Sequence, residues 1–246
     1  MKKITYKVSY FFKKFQIVSN KSRQSCFFAA ILGLIKSGKV QLPSIAEAMK
    51  ESRDTIKVSS IIHRLEDFFR EVQFNYDVVA SLLLSFLDSR EKIRLCIDRT
   101  EWKFGNTEIN ILMIMAYTST TQVPVYWELL DNKSGNSNAN DRIELLKKIV
   151  ELVGIKHIGL IIGDREFIGH SWLKYLKTNN INFCMRVPKN HSIQNKEAEK
   201  SFITDFDFNT NATLYLKERM VDGVWVKLKC FFSLLKAEVL TWKVHI

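Results

Sequence analysis

Two aspartates in this sequence sit where apolar runs stop. Asp98 closes "KIRLCID" (92–98), and Asp164 follows "HIGLIIG" (157–163). An Asp at the carboxyl end of a strand has two readings. It can start a turn or cap the next helix, or it can be a metal ligand or general base held on a rigid strand end. The choice depends on whether both carboxylates arrive at one place. If they do, two carboxylates a strand spacing apart, about 5 Å, repel unless a cation lies between them. Oxygen-only ligands of this kind suit Mg²⁺ or Mn²⁺ far better than zinc. The chain carries a formal net charge of +11, which favours a polyanionic partner. A metal pair on so basic a chain points to phosphodiester chemistry by the two-metal route. Asp98 and Asp164 are therefore the candidate catalytic residues and the candidate metal ligands.

Other chemistry-bearing residues do not form a rival constellation. Cys26, Cys96, Cys184 and Cys230 make no C-x-x-C pair, and the five histidines make no i, i+4 pair. Scattered thiols suit a reducing cytosol and argue against a disulfide framework or a zinc ribbon. The run from Gly33 to Lys39 has P-loop spacing, but Val40 stands where the magnesium-binding hydroxyl belongs. The residues before it also read as helix, whereas a P-loop follows a strand. That lead is rejected.

The elements that must position the two aspartates lie in residues 91–190. "KIRLCID" reads as a short strand ending at Asp98. "INILMIMAYT" (109–118) is a nearly continuous apolar run, as expected of a central strand buried on both faces. "VPVYWELL" (123–130) follows a short polar turn, so these three strands form a meander. After the loop "DNKSGNSNAN" (131–140), residues 141–154 read as a helix stopped by Gly154. Residues 157–163 then read as a strand, 168–178 as a helix and 181–187 as a strand. The order β-β-β-α-β-α-β predicts an α/β fold with a mixed sheet. A right-handed crossover places the fourth strand beside the first, so Asp98 and Asp164 meet on one side of the sheet.

The flanking segments differ in texture. Residues 1–90 read as a small helical, basic domain, with Val58, Ile61, Ile62, Leu65, Phe68, Phe69 and Val72 on one helical face. Further helices are expected over 42–50 and 78–87. Short basic helices resemble a helix-turn-helix module, though any small helical bundle has the same pattern; this is the candidate DNA-binding domain. Residues 191–246 alternate like hairpin strands around Asp222-Gly223. The run "CFFAAILGLI" (26–35) is shorter than the roughly 20 apolar residues that a bilayer span needs, and no cleavage site follows it. The expectation is a cytoplasmic protein without a membrane partner.

The blocks "CIDRTEWKFG", "DNKSGNSNANDRIELL" and "IGDREFIGHSWLKYL" resemble the catalytic core of bacterial insertion-sequence transposases, specifically the insertion-sequence-four family. The resemblance runs from about Pro43 to Val187. It implies an RNase H-like core with a D-D-E triad, in which Asp98 of "DRTEW" and Asp164 of "DREF" match the first two carboxylates. It also implies Mg²⁺ or Mn²⁺, double-stranded DNA at transposon ends and target, and assembly as a homo-oligomer on DNA. Arg99, Trp102, Arg165 and Glu166 belong to the same blocks and either position DNA or brace the strand ends. Glu166, two residues past Asp164, is expected to project away from the metal site. The family's third carboxylate lies in a Y-x-x-R-x-x-x-E helix beyond a β-rich insertion, and no glutamate downstream of Asp164 has that context here. The expectation is a C-terminally truncated transposase, domains 1–90, 91–190 and 191–246, inactive alone. The alternatives are a non-catalytic DNA-binding remnant that competes with a full-length relative, or another nuclease of RNase H-like fold.

Overall fold

The computed structural model describes residues 10, 14–18, 20–50, 55–130, 137–188, 190–206 and 213–231. They fall into two compact units, Met1–Leu82 and Leu83–Ile246. The first seam thus lies eight residues before the expected boundary at 90.

The first unit is helical. Helix α1 (Lys21–Ser37) starts at Asn20, whose side chain accepts from the Ser22 and Arg23 amides, and stops at Gly38 with φ 63°. Asn and a left-handed Gly are the residues that satisfy the end groups of a helix at these positions. Helices α2 (Leu42–Met49), α3 (Val58–Glu71) and α4 (Tyr76–Leu84) follow. α3 buries Ile61, Leu65 and Phe68 as its periodicity predicts, but Phe69, expected on the same face, is exposed, because it follows Phe68 by about 100° around the helix. Phe68 stacks on Phe27 at 5.8 Å, and Phe74 lies 5.1 Å from Phe27. Gly33 sits inside α1, where an added Cβ would stand 2.8 Å from the Ile45 carbonyl oxygen. It is a helix-packing glycine, which agrees with rejecting the P-loop. Among the described residues no single helix is long and apolar enough to cross a membrane.

The second unit is built on a five-stranded sheet. Strands β1 (Ile93–Phe104), β2 (Thr107–Tyr117) and β3 (Gln122–Leu129) form an antiparallel meander. Helix α5 (Ala139–Val153) leads to β4 (Ile158–Gly163), and helix α6 (His170–Thr178) leads to β5 (Phe183–Met185). The strand order is β3-β2-β1-β4-β5, with β1–β4 and β4–β5 parallel. This is the expected mixed sheet, with the fourth strand beside the first.

Two sequence expectations are corrected here. Asp98 does not end β1, because the ladder with β2 continues to Phe104↔Thr107 around the Gly105-Asn106 turn. Nor is β2 buried on both faces. Asn110, Leu112, Ile114 and Ala116 are buried, while Ile111, Met113, Met115 and Tyr117 between them are half-buried. Helix α5 packs on β2 and β3 and buries Leu145, Leu146 and Ile149, so one face is covered more fully than the other. A Asn138–Asp141 capping box opens α5, each side chain accepting from the other's backbone amide at 3.0–3.1 Å.

A second sheet, β7-β6-β8-β9, follows: β6 (Ser192–Gln194), β7 (Lys200–Phe202), β8 (Thr213–Val221) and β9 (Val224–Phe231). Its hairpin turns at Asp222-Gly223, both with positive φ, 47° and 74°, as the sequence predicts. The hairpin is tied to α6: Lys177 Nζ donates to the Trp225 carbonyl at 2.9 Å, and His170 Nδ1 lies 2.8 Å from the Asp222 carbonyl. The expectations for 131–136 and for the final stretch from 232 lie outside the described residues.

Candidate active site

The pairing of β1 with β4 ends at Ile97↔Gly163. The next residue on each strand is Asp98 and Asp164, so the two acids follow adjacent parallel strands directly. Both are exposed. Asp98 keeps one oxygen on the Arg99 amide, at 2.9 Å. The Asp164 carbonyl accepts from the Phe167 amide at 3.0 Å, closing the single helical turn Arg165–Phe167. The fold thus brings both acids out of adjacent strands, even though β1 runs on past its Asp.

Gly163 explains why the strand end is so tight. A Cβ there would meet Met185 Sδ at 2.7 Å, Ile97 Cγ2 at 3.0 Å and Phe167 Cβ at 3.1 Å. Only a residue without a side chain lets β4 pass between its neighbours and deliver Asp164. Cys96, two residues before Asp98 on the same face of β1, shares its surroundings: burial pushes the Cys96 thiol up from its ordinary pKa, and the Asp98 carboxylate adds to the shift.

Arg186 contacts one of the two acids, and a second cluster of charged and polar side chains gathers around Arg99 on the opposite face of β1. Arg186, the first residue after β5, holds Asp164 with Nη1 3.1 Å from Oδ1, while its amide donates to the Gly163 carbonyl at 3.1 Å. Arg99 reaches Glu166 with Nε 3.2 and 3.0 Å from its two oxygens. Its Nη1 donates to Glu101 at 3.0 Å and to Asn110 at 3.3 Å. Burial works to lower the Arg99 pKa, but the hydrogen bonds and charges of Glu101 and Glu166 outweigh it and the net shift is upward. Arg142 of α5 is only 4% exposed. It donates to the Ser137 hydroxyl at 2.8 Å and to the Ser137 carbonyl, and lies 5.0 Å from the centre of the Phe167 ring. Burial pulls its pKa down, against the charges of Glu166 and Asp141.

Of the residues singled out in the sequence, Asp98 and Asp164 follow adjacent parallel strands, and Glu166 turns to Arg99. Arg165 and Trp102 are exposed, Trp102 to 60%. The sequence reading missed Glu101, Asn110, Arg142 and Arg186. The signal for two of them was a polar residue inside an apolar run, Asn110 in "EINILMIMAY" and Arg186 in "NFCMRV". Asp98 and Asp164 offer only oxygen, the donor type that Mg²⁺ or Mn²⁺ takes. Among the described residues no group of three His, Cys, Asp or Glu side chains gathers at one point, so the pair supplies part of a ligand set.

Residues 89–222, more than half of the chain, match the family model described as "Transposase DDE domain". No curated protein sequence matches the chain. Among solved structures it resembles the piggyBac transposase synaptic complex with hairpin DNA, with a TM-score of 0.51 at 13% identity. That match covers 92% of this chain and 52% of the other, so the chain spans about half the length of that transposase. A simian T-cell lymphotropic virus intasome, in complex with PP2A regulatory subunit B56 gamma, matches over 65% of this chain and 52% of that chain at 12% identity. Its TM-score is 0.30.

Proposed function

We infer that this chain, which belongs to the transposase DDE domain family, acts on DNA phosphodiesters at transposon ends through Asp98 and Asp164. The register that brings the two acids out of adjacent parallel strands directly after Ile97↔Gly163 carries the reading. These two residues would hold Mg²⁺ or Mn²⁺, which, when bound, supplies Lewis-acid activation of a water or 3′-hydroxyl and neutralises the leaving oxygen. Arg186 beside Asp164 and the +11 charge favour an anionic backbone in the same place. Within the family, the "DRTEW" and "DREF" blocks favour the insertion-sequence-four branch. Double-stranded DNA is the proposed partner, a homo-oligomer on DNA the proposed assembly and the nucleoid the proposed location.

One observation favours a second reading, a DNA-binding chain without turnover. A two-metal centre needs more protein oxygens than two carboxylates, and no third acid joins the pair among the described residues. A single titration series separates the readings. Mn²⁺ binding, followed by electron paramagnetic resonance, should weaken at least about tenfold in Asp98→Asn and in Asp164→Asn. Unchanged binding in both would overturn the metal assignment. With binding established, Mn²⁺-dependent nicking of double-stranded DNA carrying the ends of the encoding element decides between turnover and binding alone.

A further inference from the structure

Backbone pairing stops one residue short of the two acids. After Ile97↔Gly163, β1 continues alongside β2, while the chain after Asp164 turns away into Arg165–Phe167. No ladder bond between β1 and β4 holds Asp98 against Asp164 beyond that point. A metal site needs its ligands fixed to within about 0.5 Å, so side chains must supply the missing constraint.

The side chains that cross this gap are Arg99, next to Asp98, and Glu166, two residues after Asp164. We propose that the Arg99–Glu166 ion pair is the brace that sets the spacing of the two carboxylates, and that both are positioning residues. The proposal rests on the reading of Asp98 and Asp164 as a cation site. The Arg99 Nε–H is shared between both Glu166 oxygens, at 3.2 and 3.0 Å, a charge-assisted bond to a planar guanidinium whose Nη1 is held separately by Glu101. The pair is sheltered: the Arg99 and Glu166 side chains are 14% and 18% exposed, so solvent and salt screen it weakly. Arg99 is itself anchored to Glu101 and to buried Asn110 of β2. The far end is anchored too, because Phe167, next to Glu166, packs under the Arg142 guanidinium, and Arg142 is bonded to Ser137 at the start of α5. Strand β1, strand β2, the turn after β4 and the start of α5 are thereby joined behind the carboxylates. Arg99 alternates with Asp98 along β1, so the brace works from the face opposite the acids.

The rival assignment makes Glu166 a metal ligand resting on Arg99 until a cation arrives. The two predict opposite behaviour for Arg99. A brace needs both partners: Arg99→Gln and Glu166→Gln should each weaken Mn²⁺ binding by about 10-fold to 100-fold, the range for residues that orient metal ligands. The double variant should then be little worse than either single one, because the two act as a unit. If Glu166 is a ligand, Glu166→Gln weakens binding while Arg99→Gln leaves it unchanged or tightens it, and the brace is overturned. Arg99→Lys, which keeps the charge and loses the planar guanidinium that reaches Glu166, Glu101 and Asn110 together, should fall between wild type and Arg99→Gln, and it serves if Arg99→Gln fails to fold. Amide hydrogen exchange without metal provides an independent readout. Exchange should rise at Asp98, Arg99 and residues 164–167 in Glu166→Gln and stay unchanged at Leu112; no local rise there overturns the brace. If wild type binds no Mn²⁺ at the two aspartates, the cation reading fails, and the exchange measurement still decides whether the brace exists.

Discussion

The two faces of the five-stranded sheet are made from the same strands, yet they do different work. On one face Leu95, Ile97, Leu112, Ile114 and Ala116 are at most 2% exposed, beneath helix α5. Arg99, Glu101 and Asn110 continue that face beyond the end of the β1–β4 pairing. On the other face Cys96, Met113 and Met115 are half-buried and Asp98 is exposed. Alternation along a strand sends neighbouring residues to opposite faces, so Asp98 and Arg99 part company after one peptide bond. Charge that must meet a cation or a phosphate has to stay wet, whereas a salt bridge that fixes geometry is least screened when it is covered. Separating the two lets one strand end satisfy both demands.

Substitutions that sample the two faces test this contrast, beginning with the largest effect. Leu112→Ala, on the covered face with 0% exposure, should cost about 2–5 kcal/mol in urea unfolding, because the cavity adds to the lost burial. Its neighbour Met113, half-buried on the other face, should cost roughly 1 kcal/mol when cut to Ala. Equal costs would mean that the second face is as fully packed as the first.

Gly163→Ala tests the seam between them. The added methyl meets Met185, Ile97 and Phe167 at 2.7–3.1 Å, and overpacking of this kind costs about 1–3 kcal/mol. Because Asp164 is the next residue, Mn²⁺ affinity should fall along with the melting temperature. A variant that melts lower and binds Mn²⁺ as wild type does would show that the strand end and the carboxylate are uncoupled.

The smallest effect is expected at Trp102, 60% exposed near the tip of the β1–β2 hairpin. Trp102→Ala should change stability by less than about 0.5 kcal/mol. A larger loss of melting temperature would indicate that its indole packs more than its exposure suggests.

Much of this architecture was legible in the residues because it depends on local patterns. The stripe of Ile61, Leu65 and Phe68, the stop of α5 at Gly154, and the Asp222-Gly223 turn follow from side-chain spacing and backbone preference within a few residues. Strand order also followed, because a meander and two right-handed crossovers leave β4 only one place, beside β1. That was enough to bring Asp98 and Asp164 together on paper.

Other features needed the folded chain. The continuation of β1 past Asp98 depends on how far β2 pairs with it, and a ladder is a property of two strands rather than one. The unequal burial of the β2 faces depends on where α5 lands, since an all-apolar run reads the same whichever side is covered. Arg186 beside Asp164, and Arg142 over Phe167, join residues more than twenty positions apart. Arg99 and Glu166 are 67 residues apart in sequence. The charge pattern alone could not pair them, because any of the 37 lysines and arginines could face any of the 26 acids until tertiary packing brought these two together.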